Sequence, residues 1–220
     1  MKTITCVHTG MGKLPELIEK EFGNAVEDVK FYHILDSGLI GDIIAHNGIT
    51  PKITDRLNAL FTAAAGTNPD IIVSTCSSIG EAAEHYAAAH SETRILRIDY
   101  PMARYAVENA KKIAVLATLA TTVEPSCRLV QRLAKEMGKT VEVISATALD
   151  AFDAMRRGDN RAATEDVVKT AQKLCADVDI ILLAQASMSN FVHALKDALG
   201  EDTIMLDSPS TCAAYLKENL

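Results

Sequence analysis

Eight short runs rich in isoleucine and valine alternate with helical patterns in this chain, and that alternation leaves few folds open to it. The runs lie near residues 3–8, 29–34, 70–74, 94–98, 112–117, 141–145, 179–183 and 203–206. Helical patterns cover roughly 52–66, 79–90, 101–110, 122–137, 160–176, 187–199 and 209–219. Such an order builds parallel βαβ units with helices on both faces of a sheet. The runs also repeat: starts at 3, 29, 70 and 94 recur at 112, 141, 179 and 203, offsets of 109, 112, 109 and 109. In the 109 register, Asp70-Ile71-Ile72-Val73-Ser74-Thr75-Cys76-Ser77-Ser78 falls on Asp179-Ile180-Ile181-Leu182-Leu183-Ala184-Gln185-Ala186-Ser187, and Thr9 falls on Thr118. Asp99-Tyr100-Pro101 has a counterpart, one residue out of register, in Asp207-Ser208-Pro209. The expected fold is therefore α/β, with two pseudo-symmetric flavodoxin-like halves, each a parallel sheet flanked by helices. The first half spans 1–110, with 207–220 packing back onto it, and the second spans 111–206. An approximate two-fold relation would turn the carboxyl ends of equivalent strands toward each other, so the expected active site is a cleft between the halves, with Cys76 facing Gln185. The stretch 35–50 fits neither period and reads as a long loop of the lid or binding kind.

With 220 residues, 48% of them apolar, the chain has ample material for a packed core without staples. A net charge of −7 without a basic cluster argues against nucleic acid and against an anionic membrane surface. Five widely spaced cysteines, Cys6, Cys76, Cys127, Cys175 and Cys212, suggest neither a disulfide framework nor a zinc site. The amino terminus lacks the apolar stretch of a signal peptide, and no run approaches the length of a membrane span. The expectation is a cytoplasmic protein in a reducing compartment.

The chemistry concentrates where Ile71-Ile72-Val73 runs into Ser74-Thr75-Cys76-Ser77-Ser78 and a helical pattern follows at once. Open α/β sheets bind ligands at the carboxyl ends of their strands. Free N–H groups and the helix dipole there favour anions and can lower the pKa of a thiol. Cys76 is thus the chemical cysteine, while Cys6 in a strand and Cys127, Cys175 and Cys212 in helices read as packing. His8, ending the first strand just before Thr9-Gly10, can lie near Cys76 and form an imidazole–thiol pair. His33 ends the second strand and is the next histidine placed to face the cleft. Gly10-Met11-Gly12 lacks the third glycine and acidic partner of a dinucleotide fingerprint.

These residues resemble the aspartate/glutamate/hydantoin racemase superfamily, whose relatives include maleate isomerase and arylmalonate decarboxylase. The likeness runs through Val73-Ser74-Thr75-Cys76-Ser77-Ser78, Arg97-Ile98-Asp99-Tyr100-Pro101-Met102-Ala103, Ile113-Ala114-Val115-Leu116-Ala117-Thr118-Leu119-Ala120-Thr121-Thr122 and Ile181-Leu182-Leu183-Ala184-Gln185-Ala186-Ser187-Met188. It implies a site without cofactor or metal, where one cysteine takes a proton from the carbon beside a carboxylate and a second returns one. A proton there is a very weak acid, so the base must be activated and the enediolate held by preorganised donors. Cys76 matches the first base. Thr9, Ser77, Ser78, Thr118, Thr121, Thr122 and Ser187 match positions that hold carboxylates, although hydroxyls at such turns also serve as helix caps. Gln185 stands where the second cysteine is expected, and an amide can donate a hydrogen bond but cannot return a proton. His8 replaces an acidic residue of the amino-acid racemases. The resemblance implies a one-cysteine isomerase acting on a small carboxylate such as an amino acid or hydantoin. A malonate-type decarboxylase and a non-catalytic carboxylate binder are the alternatives. Neither nucleic acid nor membrane is expected as a partner, and the homodimer is the oligomer common among the relatives.

Overall fold

The computed structural model describes residues 1–10, 12–174 and 177–220. Cys175, read above as packing, the end of the 160–176 helical pattern and Met11 of Gly10-Met11-Gly12 lie outside the described residues. In chain order the elements are β1 (Lys2–His8), α1 (Leu14–Ala25), β2 (Val29–Leu35), α2 (Leu39–Ala45), α3 (Pro51–Ala65), β3 (Ile71–Ser74), a 3-10 turn (Ser77–Ile79), α4 (Gly80–Ala89), β4 (Ile95–Arg97) and α5 (Tyr100–Asn109). There follow β5 (Lys112–Ala117), α6 (Ala120–Glu136), β6 (Glu142–Thr147), α7 (Leu149–Arg156), α8 (Asn160–Leu174), β7 (Ile180–Leu183), a second 3-10 turn (Ala186–Phe191), α9 (Val192–Leu199), β8 (Met205–Asp207) and α10 (Ser208–Asn219). Two compact units result: Met1–Tyr100 with Pro209–Leu220, and Pro101–Ser208.

Each unit contains one four-stranded parallel sheet, ordered β2-β1-β3-β4 in the first and β6-β5-β7-β8 in the second. The registers agree as well as the orders. Ile4 pairs with Ile71 and Ile113 with Ile180, so both strands keep the 109-residue offset. All eight strands expected from the sequence are present, and helices flank both sheets.

Apolar β-branched residues form the central strands because both faces of a parallel sheet are covered. In the first unit, Val7 and Ile72 pack against Leu57 and Phe61 of α3 and against Ile79 and Ala83. The α3 start has its expected chemistry: the Thr50 side chain accepts the Ile53 N–H, and Pro51 occupies the first turn. Its buried residues Ile53, Leu57, Phe61 and Ala64 form one stripe. In the second unit, Leu116, Ile181 and Leu183 meet Val167 of α8 and Met188, Phe191 and Leu195.

The helices depart from the sequence reading in several places. The stretch 35–50 is not a plain loop: α2 lies inside it and buries Leu39 and Ile43, one turn apart. Helices α1 and α7 also go beyond the expected set. Helix α1 buries only Ile18 and Phe22, and α7 only Ala151 and Ala154, so neither carries a broad apolar stripe. The pattern at 187–199 divides into a 3-10 turn and α9. No helix among the described residues is long and apolar enough to cross a membrane.

Candidate active site

The sequence-selected residues gather at the carboxyl ends of the central strands, one group in each unit. In the first unit, the Thr75 N–H donates to the Val7 carbonyl at 3.1 Å and carries the β1–β3 ladder one step past Ser74. Cys76 follows in extended conformation, φ −128° and ψ 119°, and caps the 3-10 turn. Its carbonyl accepts the Ile79 N–H at 3.1 Å. A helix was expected directly after Cys76, but the turn intervenes and α4 begins at Gly80. Tight turns of this type commonly open α-helices, and serine competes locally for backbone groups. Ser77 and Ser78 lie in the turn, buried, and both already have interaction partners.

Cys76 is half-buried, in contrast to Cys6 and Cys212, which are sealed in the core. Burial pushes the thiols of Cys6 and Cys212 well up, and the Glu19 carboxylate adds to the rise at Cys6. Burial also raises Cys127, against a hydrogen bond with Ser145.

His8 is fully buried, with its ring nitrogens engaged on both sides. Nδ1 lies 2.8 Å from Thr75 Oγ1, and Nε2 lies 2.8 Å from His33 Nδ1. His33 Nε2 in turn lies 3.0 Å from Glu19 Oε1. The imidazole therefore reaches the Cys76 segment through the hydroxyl of Thr75. Burial first, and His33 second, lower His8 to about 4, so the ring is neutral near pH 7. The carbonyl of His8 accepts the Asp36 N–H at 3.3 Å, and that of Thr9 accepts the Ile40 N–H at 3.0 Å. These bonds tie the end of β1 to the start of α2. Thr75 and Glu19 escaped the sequence reading. The signal for Thr75 was its place next to Cys76, and Glu19 belongs to the unanticipated α1. Cys6, His8 and His33 also bring one ligand atom each within 4.8 Å of one another, a set able to hold a metal ion.

The second unit repeats the backbone and changes the chemistry. Gln185 is extended, φ −124° and ψ 137°, and precedes a 3-10 turn in which the Met188 N–H donates to its carbonyl at 2.9 Å. The Thr118 N–H donates to Gln185 Oε1 at 2.5 Å and the Thr118 hydroxyl at 2.9 Å. A backbone N–H can only donate, so the facing atom is the amide oxygen and the NH2 group is left as the outward donor. Thr118, selected as a carboxylate holder, thus spends its N–H and hydroxyl on Gln185. Thr121 Oγ1 is buried without a partner among the described residues. Thr122 is buried, its N–H donating to Leu119 at 3.1 Å, and Ser187 is half-buried with its carbonyl accepting from Asn190 at 3.1 Å.

Residues 33–215 match the family model described as Asp/Glu/hydantoin racemase. Glutamate racemase isoform RacE1 from Bacillus anthracis superposes with a TM-score of 0.73 at 18% identity, over 100% of this chain and 81% of that one. Aspartate racemase from Picrophilus torridus gives 0.71 at 16%, over 99% and 94%. Allantoin racemase from Klebsiella pneumoniae gives 0.64 at 14%, over 100% and 87%. No curated protein matches the sequence.

Proposed function

The chain belongs to the Asp/Glu/hydantoin racemase family, and from this we propose that it is an isomerase of the racemase or epimerase type that needs no cofactor. Its substrate is a small acid such as an amino acid or hydantoin, and the reaction occurs at the carbon beside the carboxylate. One observation carries this reading: two strand ends share one backbone conformation, one with a thiol and the other with an amide.

Cys76, as thiolate, takes the proton from that carbon, and the electron pair of the broken C–H bond moves into the carboxylate to form an enediolate. The negative charge grows on oxygen, so its stabilisation requires donors already in place. Turn residues Ser77 and Ser78, with Thr9, supply polar groups in the first unit. In the second, the Gln185 NH2 group is aligned by Thr118, and Thr121 brings a hydroxyl not yet used within the protein. The amide cannot return a proton, so reprotonation falls to Cys76 or to water. Protonation by the same thiol gives exchange with retention, and by water from the other side, inversion.

The test incubates aspartate, glutamate, hydantoins and substituted malonates in D2O with the protein and with Cys76→Ala. Deuterium uptake at the carbon beside the carboxylate, lost in Cys76→Ala, is the expected result, and optical purity separates exchange from racemisation. CO2 release from a malonate would transfer the site to decarboxylation. Binding without turnover would leave a carboxylate-binding protein, and full activity in Cys76→Ala would remove the thiol from the mechanism.

A further inference from the structure

His8 and His33 meet nitrogen to nitrogen beside Cys6, and each has its other ring nitrogen engaged by an outer partner. The Thr75 hydroxyl has one proton and two acceptors within reach, the Val7 carbonyl at 2.9 Å and His8 Nδ1 at 2.8 Å. When the proton goes to Val7, the hydroxyl accepts from His8, whose own proton then sits on Nδ1. At the other end the Glu19 carboxylate only accepts, which puts a proton on His33 Nε2. In neutral rings these two placements leave His8 Nε2 and His33 Nδ1 bare, and those two atoms face each other at 2.8 Å. A cation between those two lone pairs takes the place that an Nε2–H···Nδ1 hydrogen bond fills in the other tautomer. Cys6 supplies a third donor atom on the same face of the sheet. It lies two residues before His8 on β1 and pairs in register with His33 on β2.

We propose that Cys6 Sγ, His8 Nε2 and His33 Nδ1 form a metal site for a borderline-soft divalent cation of the zinc type. One thiolate and two imidazoles are the ligands such an ion selects over oxygen-only sites. Both outer contacts match the pattern in which a ligating histidine donates its second N–H to a carboxylate or other acceptor: Glu19 for His33, and Thr75 for His8. Closing the site needs the two rings to part and the Cys6 sulfur, within 4.8 Å of both nitrogens, to draw in. In a tetrahedral site with metal–nitrogen bonds of about 2.0–2.1 Å, two nitrogens sit roughly 3.3 Å apart, so the rings must part by about 0.5 Å. The Cys6 proton leaves to solvent as the sulfur binds, and a water or a small anion completes four ligands. The side chain of His33, 18% exposed, marks the way in. A bound ion cross-links β1 to β2 and, through Thr75, stiffens the segment carrying Cys76. Nothing in this site depends on the isomerase reading.

The full chain, stripped with chelator, is titrated with Co(II) and Zn(II) and followed by absorption, metal analysis and thermal unfolding. The expected result is one equivalent per chain, with a sulfur-to-cobalt charge-transfer band and a raised Tm. Cys6→Ala should abolish the band, Glu19→Gln should weaken binding roughly tenfold or more, and Cys127→Ala should change neither. Unchanged stoichiometry in both Cys6→Ala and His33→Ala, or no retention by the unsubstituted chain, overturns the site. In either case a proton shared by the two rings, visible by nitrogen NMR of the histidines, accounts for the short contact.

Discussion

Gly80 has a function that its sequence context conceals. A Cβ built there would stand 2.2 Å from Arg97 Nε and 2.3 Å from Cζ, far inside any real contact. The guanidinium has little freedom to retreat, since it forks onto Asp99 with two bonds of 2.9 Å and both side chains are almost wholly buried. Gly80→Ala should therefore destabilise the protein by about 3 kcal/mol, because displacing Arg97 strands a buried carboxylate. The helix propensity regained by alanine, about 1 kcal/mol, does not offset this. Denaturant unfolding of Gly80→Ala, Asp99→Asn and the double variant measures the coupling; additive effects would break the link between glycine and ion pair. Gln185 makes a different case. Gln185→Glu keeps an oxygen for the Thr118 donors, so stability should hardly change, while loss of the NH2 donors and the new negative charge should weaken binding of a carboxylate at least tenfold in calorimetry. At single positions the sequence singled out Cys76 and Gln185, because strand-end place and residue type mark them. It did not show Thr75 and Glu19 around His8, since their contacts span 67 and, through His33, 14 residues of chain. Those contacts depend on strand order and on a helix whose pattern is faint.

Strands were easier to read than helices, and α2 shows the reason. Unbroken runs of isoleucine, valine and leucine mark the buried strands, whereas α2 has seven residues, a glycine before it and another within it. Isolated helices this short do not persist, so its stability comes from Leu39 and Ile43 in the core. Leu39→Ala and Ile43→Ala should each cost about 2–4 kcal/mol in unfolding experiments, the range for buried aliphatic truncations. The outer side of α2 is fastened differently. Arg56 of α3 binds Asp36 through Nε at 2.9 Å and Nη2 at 2.6 Å, and also pairs with Asp42 on α2. All three side chains remain partly exposed, so the clasp adds little to global stability. Its effect should be local: Arg56→Ala should speed amide exchange over residues 39–45 while the unfolding midpoint stays nearly constant. Equal acceleration across β1 and β3 would instead mean that the clasp supports the whole first unit.

The repeat is the broadest feature that the sequence made legible, and the shared strand order and register of the two sheets give it physical form. It also permits an internal control. Asp70 and Asp179 occupy equivalent positions before β3 and β7. Asp70 accepts one N–H, from Thr3 at 2.7 Å, whereas Asp179 accepts two, from Lys112 and Lys111, each at 2.8 Å. The Lys112 N–H, followed by that of Lys111, holds the Asp179 carboxyl below its ordinary value. A carboxyl lowered by folding stabilises the native state above its unfolded pKa, and that contribution disappears as pH falls through the folded pKa. Asp179→Asn should therefore lower the urea midpoint at pH 7 and give a flatter acid limb than the unsubstituted protein. The two curves should draw together as the Asp179 carboxyl is protonated. Asp70→Asn, where a single N–H faces the carboxylate, should lose less at pH 7. Midpoints measured from pH 7 down to pH 2 decide the matter: parallel curves would show that the two Lys N–H bonds do not act through the charge of Asp179. Equal losses at pH 7 would show that the duplicated aspartates fasten their strands alike, despite the extra donor in the second unit.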